Sequence, residues 1–557
     1  MAAASRVAVF AALARAASSL DNGFPRPPLG WSALYGAPFS TVNETIMRAA
    51  AQGLVDGGFA AAGYSYVTLD DWYAQRDNTT GRMMGLPSTF PSGMRNLSDI
   101  IHGLGLKFGV YSAASQRTCG NFSASLFLET LDADTFANEW QIDFLKYDSC
   151  IYSNGVGNRP RYSTMRDALN ATGRQIFYSM EGQAYFPDVG NMWRTGGDMW
   201  PYWDSHLLRN LYANDALASL FVPGAGAFND PDHIIATGTE STGVPGAGLN
   251  FEEARSQFVL WAVMKAPLML GVHYALLATM KTALPEYFTL LTHPEVIAVN
   301  QDISAAAVRR QSYPSSTQVA SSVALTLQTC DATREDQTFV AAPSGVANMS
   351  AIRALHGNLC ASLGAGGAVT AVPCDGSAAQ AWGLLPDARF HVPVSGADES
   401  VCLTSTPGAA PPSAAPCEYP NGAALPPPFD ANIGEQLWVW DSRGSVIHGA
   451  SAQCLTLGVS NYAPQDPNSY TNNGTLLLEV WAGALSATGF AGKTVAVLFN
   501  KSPANDTLSV EWPSLGTGLP RGATLPIRDV YARADLPPAT SLSALIPPHG
   551  VRIFIVG

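Results

Sequence analysis

The chain has 557 residues, of which 47% are apolar and only 13% charged, with 51 glycines and 38 prolines. That length exceeds what one hydrophobic core can organise, and the composition excludes a disordered or coiled-coil chain in favour of a few loop-rich globular domains. The formal charge of −13 argues against a nucleic-acid partner and fits an acidic or extracellular setting.

Residues 1–20 hold Arg6, an apolar run from Val7 to Ala14, the stretch Ala14-Arg15-Ala16, and no acid before Asp21. This reads as a secretory signal interrupted by Arg15, with an organellar transit peptide as the alternative. Nine Asn-X-Ser/Thr sequons (Asn43, Asn78, Asn96, Asn121, Asn170, Asn348, Asn473, Asn500, Asn505) and an even set of eight cysteines favour the secretory route, secreted or lysosomal/vacuolar. The longest apolar stretch, Phe258 to Met280, is broken by Lys265, Pro267 and His273 and is a poor membrane span.

From residue 28 to 302, short β-type runs alternate with amphipathic segments. The runs are Gly30-Trp31, Tyr64 to Asp71, Leu106 to Tyr111, Phe144 to Asp148, Ile176 to Glu181, Met192 to Asp198, Ala227 to Asp230 and Met264 to Leu270. Helical patterns between them include Thr45 to Gly57, Asp134 to Trp140 and Thr164 to Leu169. This size and rhythm predict a (β/α)8 TIM barrel over residues 21–305. Polar residues crowd the C-terminal ends of the runs: Asp70, Asp71, Tyr111, Asp148, Glu181, Asp198, Asp230 and Asp232. In a barrel those ends converge on one face, so residues distant in sequence would line one pocket.

After Asp302 an internal repeat appears. Cys330, Cys374 and Cys417 recur every 43 to 44 residues, each leading to a Gln-X-aromatic: Gln337-Thr338-Phe339, Gln380-Ala381-Trp382 and Gln436-Leu437-Trp438. Cys360, Cys402 and Cys454 open the complementary half-units. Threefold repetition on this period predicts a β-trefoil over residues 317–476, similar to the ricin-B-type lectin module. Repeat symmetry pairs Cys360 with Cys374, Cys402 with Cys417 and Cys330 with Cys454, leaving Cys119 and Cys150; this is one of about 105 arithmetical pairings. Residues 477–557 carry the regular short strands of a C-terminal antiparallel β-sandwich, whose first strand would lie in 306–316, so the trefoil interrupts the sandwich.

The run Asp143-Phe144-Leu145-Lys146-Tyr147-Asp148-Ser149-Cys150 is an apolar strand ending in charge. Alternation puts Lys146 and Asp148 on one side, where a cation keeps a nucleophilic carboxylate ionised. Asp198 lies in Trp193-Arg194-Thr195-Gly196-Gly197-Asp198-Met199-Trp200, where partial burial between tryptophans would keep a general acid protonated. Two such carboxylates can split a glycosidic bond with retention. Clustered aspartates could instead hold a divalent metal, but no His-rich ligand spacing accompanies them, and Lys146 and Arg194 compensate their charge. No cofactor is expected.

Residues 27–302 resemble the retaining α-galactosidase (melibiase) family, glycoside hydrolase family 27. The resemblance rests on Pro28-Leu-Gly-Trp31, Leu69-Asp-Asp-Trp72, Gly109-Val-Tyr111, Thr118-Cys119-Gly120, Leu145-Lys-Tyr-Asp-Ser-Cys150, Tyr178-Ser-Met-Glu181, Trp193-Arg-Thr-Gly-Gly-Asp198, Phe228-Asn-Asp-Pro-Asp232, Ala266-Pro-Leu-Met269 and Val299-Asn-Gln-Asp302. It implies Asp148 as nucleophile and Asp198 as acid/base. It further implies Asp70 and Asp71 on the sugar's 4- and 6-hydroxyls, Lys146 on its 3- and 4-hydroxyls, and Trp31 and Tyr185 against the ring. Tyr111, Cys119, Arg194 and Asp232 would complete the pocket, and Glu181 would suit a free 2-hydroxyl, favouring galactose over its 2-acetamido analogue. The resemblance also keeps Cys119–Cys150. His233 stands where Met is common and Lys265 where a small residue is usual, which bears on the outer pocket and the aglycone. The expected substrates are α-galactosides, as oligosaccharide, polysaccharide or glycolipid, with a second carbohydrate site on the trefoil as a further expectation. Two rivals remain open: a β-L-arabinopyranosidase with the same mechanism, and an inactive sugar-binding protein.

Overall fold

A computed structural model describes residues 23–302 except 39–40, 151–157, 182–185, 219–225 and 238–248, then 306–310, the strands and some turns of 323–457, and 478–557 except 487–489. The 1–20 segment therefore lies outside the described residues. Eight parallel strands form the first sheet: β1 (Leu29–Ser32), β2 (Tyr66–Thr68), β3 (Lys107–Ala113), β4 (Phe144–Asp148), β5 (Phe177–Met180), β6 (Met192–Arg194), β7 (Phe228–Asp230) and β8 (Leu268–Leu270). Their order is β8-β1-β2-β3-β4-β5-β6-β7. Just past β7, Ile234 N–H donates to Met269 O and Gly271 N–H donates to Ile234 O, both at 2.8 Å, so the two ends of the sheet meet.

Alternation along six of the eight strands sends one large side chain inward towards the N-terminal end. Tyr66, Phe144, Phe177, Met192, Phe228 and Met269 form a single apolar layer there, with Phe144 and Phe177 stacked at 5.3 Å. This plugged floor leaves the opposite end, where the charged residues sit, as the place for chemistry. Helices cover the outside. Glu44–Asp56 begins where the Asn43 side chain accepts from Ile46 N–H at 3.0 Å, and buries Ile46, Met47, Ala50, Ala51 and Leu54 against the sheet. Each such fully buried aliphatic side chain contributes roughly 1.5–3 kcal/mol.

Several expected strands are shorter than their runs, among them Tyr64 to Asp71, where only Tyr66–Thr68 is strand. Met264 to Leu270 divides: the helix Phe251–Val263 runs into it, Lys265 at φ +60° ends the helix in left-handed backbone, and only Leu268–Leu270 is strand. Met192 to Asp198 likewise stops at Arg194, because the Gly196-Gly197 turn leaves the sheet. The segment Asp134 to Trp140 is a short helix, Glu129–Asp134, that widens into a π-type turn at Thr135–Glu139.

Arg309–Arg310 pairs antiparallel with Leu478–Ala484 at the edge of a six-stranded sheet that also contains Thr494–Asn500, Val551–Val556, Leu525–Asp529 and Ala534–Ala539. Asp506–Glu511 and Ser541–Ile546 form a second, two-stranded sheet beside it. Between Arg310 and Leu478 the described residues make twelve antiparallel strands, from Val323–Thr329 to Gln453–Leu457, around Leu325, Phe339, Ile352, Trp382, Phe390, Leu403, Trp438 and Leu455. Disulfides join Cys119 to Cys150, Cys330 to Cys454 and Cys360 to Cys374. Cys417, and with it the Cys402–Cys417 pairing, lies outside the described residues. Asn500 is fully buried and its amide nitrogen donates to Ala504, Ile546 and Pro547 carbonyls, which closes that sequon to a glycan. Among the described residues no helix is long and apolar enough to cross a membrane.

Candidate active site

The C-terminal ends of β2 to β7 bring Asp70, Asp71, Tyr111, Lys146, Asp148, Glu181, Arg194, Asp198, Asp230 and Asp232 to one mouth. Below it a cavity is lined by Asp70, Lys146, Glu181, Asp230 and His233 among polar side chains, and reaches down to Phe144, Met192 and Met269.

Lys146 does not pair with Asp148 as strand alternation predicted. Its Nζ donates to Asp70 Oδ2 at 2.9 Å and lies 3.2 Å from Glu181 Oε1, with the Tyr111 ring 5.2 Å away. Asp148 instead accepts from Tyr111 Oη at 2.9 Å and from Ser149 N–H at 2.6 Å. Its third neighbour is Glu181, bonded carboxyl to carboxylate. Burial, then the charge of Glu181, push the Asp148 carboxyl well above the ordinary carboxylate range. Burial would raise Glu181 too, but Lys146 and Arg194 overcome it and hold Glu181 at about 2. Hydrogen-bonded and crowded together, the two carboxyls share one proton as a pair.

Arg194 is the hub of the other side. Its guanidinium donates to Glu181 Oε1 at 2.6 Å and to Asp198 Oδ1 at 3.1 Å, and lies 3.3 Å from Asp232 Oδ2. Asp232, at φ +77°, is wholly buried and also receives Tyr35 Oη at 2.7 Å, Met199 N–H at 2.6 Å and His233 Nδ1 at 2.5 Å. Arg194 and His233 outweigh burial and hold it far below the usual carboxylate range. Its neighbour Asp230, buried with less compensation, is pushed up to about 6. Asp71 accepts from Gly120 N–H at 2.7 Å, an approach that any Cβ on Gly120 would crowd, since it would meet Asp71 Oδ2 at 3.0 Å. Burial raises the Asp71 carboxyl.

Several positions differ from expectation. The Asp198 side chain is 66% exposed, so the burial expected for a general acid is not present in this structure. The tryptophan before it, Trp193, is turned into the core, where its Nε1 donates to Asn229 Oδ1 at 2.7 Å. Trp31 is fully buried, its Nε1 on Val272 O at 2.7 Å, and Gly36 lies against its ring. Tyr185 lies outside the described residues. Cys119, in its disulfide with Cys150, stands beside the nucleophile strand, with Cys150 Sγ 3.2 Å from Tyr111 Oη. Lys265 is nowhere near the outer pocket: it is buried, donates to Val299 O, and is lowered to about 8 by burial. His233, by contrast, lines the cavity. Sequence reasoning missed Tyr35 and the Met199 N–H; a tyrosine in a four-residue helix and a backbone amide leave no signal in composition or spacing.

The arrangement joins a proton-sharing pair, Glu181 buried and Asp148 half-buried, to a solvent-facing carboxylate through one guanidinium. A model of the family described as alpha galactosidase A (Melibiase_2) matches residues 36–302, and the alpha galactosidase C-terminal beta sandwich domain matches 477–556. Alpha-galactosidase 3 of Arabidopsis thaliana is 39% identical over 291 residues, covering 51% of this chain and 62% of that protein. Alpha-galactosidase 2 of the same plant is 38% identical over 292 residues, covering 51% and 69%. The chain thus spans about two thirds of the length of these relatives. The crystal structure of alpha-galactosidase I from Mortierella vinacea aligns over 96% of this chain and 98% of its own, at a TM-score of 0.59 and 20% identity, a likeness of fold.

Proposed function

We propose that this chain, which belongs to the α-galactosidase family of glycoside hydrolases (family 27), is a retaining exo-α-galactosidase releasing terminal α-D-galactosyl residues. The observation that carries the reading is the connection of Asp148 to Asp198 across one mouth through Glu181 and Arg194. Asp70, Asp71 and Lys146 take the 3-, 4- and 6-hydroxyls, and Glu181 takes the 2-hydroxyl, which replaces the bond between Glu181 and Asp148. With the shared proton released to water as the sugar binds, and still held by Tyr111 and Ser149 N–H, the Asp148 carboxylate attacks the anomeric carbon. The bond to the leaving oxygen breaks as Asp198 gives that oxygen its proton. In the second half Asp198 takes a proton from water, the hydroxide oxygen attacks the anomeric carbon, and the ester bond to Asp148 breaks.

We read the closed parallel sheet as a (β/α)8 barrel and the inserted domain, 317–476, as a β-trefoil. Twelve strands and a recurring contact support the second reading: Trp382 Nε1 donates to Ala361 O at 2.8 Å, and Trp438 Nε1 donates to Leu403 O at 2.9 Å, each acceptor one residue past a half-unit cysteine. Gln337, Gln380 and Gln436 are all buried beside them. The disulfides support passage through an oxidising, secretory compartment.

The test is hydrolysis of nitrophenyl α-galactoside, with the product anomer followed by NMR. We expect α-galactose to appear first and Asp148→Asn to abolish turnover. Faster hydrolysis of the nitrophenyl β-L-arabinopyranoside, or first appearance of the β-anomer, would overturn the assignment.

A further inference from the structure

The Asp198 carboxylate is mostly exposed and is held from one side by Arg194 at 3.1 Å, so its position depends also on how its backbone is placed. Its place follows from where the backbone of its loop is tied down. One tie is next door, where Met199 N–H donates to Asp232 Oδ2 and to Tyr35 Oη at 3.0 Å. A second is Asn210, whose Nδ2 donates to Gly197 O at 2.8 Å, and a third is Trp203, on the far side of the exposed Tyr202. The Trp203 indole is buried in the main apolar core, and among the described residues its Nε1 has no hydrogen-bond partner. His549 stacks on it face to face at 4.5 Å and 6°, and Phe499 meets it edge-on at 5.8 Å. Both of those residues belong to the C-terminal sandwich.

His549 is itself fixed on several sides. It sits in left-handed backbone at φ +52°, its N–H donates to Ser502 O at 3.2 Å, and its carbonyl accepts from Ser256 Oγ at 2.6 Å. Its Nδ1 is 2.7 Å from Glu253 Oε1. The other oxygen of the same carboxylate accepts from Asn250 N–H at 3.0 Å, in the capping box that starts the helix Phe251–Val263. Backbone strain held by a surrounding network at a functional loop marks a constraint rather than an accident.

We infer that His549 of the sandwich is a positioning residue for the reaction at the barrel mouth: by clamping Trp203 it sets the loop that carries Asp198. The inference rests on the reading of Asp198 as the acid. It gives the sandwich a role in proton delivery that its distance in sequence conceals. Proton delivery matters most when the leaving group is a poor one, and little when the leaving group departs unaided. A misplaced acid therefore shows as a change in leaving-group dependence, which a general loss of folded protein would not produce.

The experiment compares kcat/KM on an alkyl α-galactoside and on dinitrophenyl α-galactoside for the full chain. Three variants are made: His549→Asn, which tolerates left-handed backbone but removes the ring; His549→Phe, which keeps the ring; and Asp198→Asn. We expect His549→Asn to lower the alkyl rate about ten-fold more than the dinitrophenyl rate. His549→Phe should restore most of that ratio, and Asp198→Asn should show the same bias more strongly. If His549→Asn does not fold, Trp203→Phe probes the same stack from the loop side with the same ratio as readout. Equal losses on both substrates, or no loss, with the Asp198→Asn bias intact, overturn the clamp. Absence of bias in Asp198→Asn overturns the acid assignment instead.

Discussion

Two buried carboxylate networks in this molecule invite comparison. At the junction of barrel and sandwich, Glu479 accepts from Tyr212 Oη at 2.8 Å, Arg310 at 3.0 Å and Trp481 Nε1 at 3.0 Å, and pairs with Lys501 at 3.0 Å. One acid there meets two cations. At the mouth, Asp70, Asp148, Glu181 and Asp232 share Lys146 and Arg194, with Asp71 and Asp230 buried alongside. A charge network that serves only the fold is closed, with at least as much cation as acid. One with surplus acid, opening on a cavity, is held in a state that a bound polyol or a departing proton can relieve.

The largest effect should come from Asp148→Asn. We expect turnover of nitrophenyl α-galactoside to fall on the order of 10^4-fold or more, while the melting temperature holds or rises because a crowded acid has been removed. At Glu479 the balance of effects reverses. Glu479→Gln leaves Arg310 and Lys501 buried beside an uncharged amide, and should cost roughly 3–5 kcal/mol in denaturant unfolding. Burial opposes ionisation of Glu479, but Lys501 and Arg310 hold it at about 2. Because the folded value lies below the unfolded one, its stabilisation is present above about 4.5 and is lost as pH falls towards 2. Acid unfolding of Glu479→Gln should lack that slope.

A subtler change sharpens the comparison at the mouth. In Glu181→Gln the half-buried Asp148 loses the negative neighbour that helps raise it, so it ionises at lower pH. The acid limb of kcat/KM should then move down in pH, alongside weaker binding through the 2-hydroxyl; a limb that stays in place would contradict the shared proton. The smallest effect belongs to a pair that is neither closed nor crowded. Arg95 and Asp99 sit about half exposed on one helix face, and Arg95→Ala should change stability by no more than about 0.5 kcal/mol.

What the sequence discloses follows from how local each feature is. Asp70, Asp148, Glu181, Arg194 and Asp232 are legible because a charge at the end of an apolar run is improbable unless used. The partner each one takes is not legible: Lys146 reaches Asp70, 76 residues away, rather than its neighbour two positions on. Tryptophans flanking Asp198 gave a false expectation of burial, since Trp193 points to the core and leaves the carboxylate in water. The run Met264 to Leu270 misleads for a different reason: an apolar stretch does not tell the end of a buried helix from the start of a buried strand.

The edge pairing of the C-terminal sheet has one further consequence. Arg310 lies directly opposite Trp481, so the chain departs and returns at neighbouring points, much as the arms of a hairpin do. A tight turn could bridge those points without moving either strand. Excision would forfeit described contacts with the barrel that include the small apolar patch where Leu217 meets Ala351 and Cys360, and the approach of the helix Arg209–Ala216 to the strand Phe339–Pro343. On the reading of 317–476 as an inserted domain, it is a passenger in the architecture: among the described residues the six-stranded sheet takes no strand from it, which is the geometry that lets a protein gain or shed a module while its remaining body stays whole.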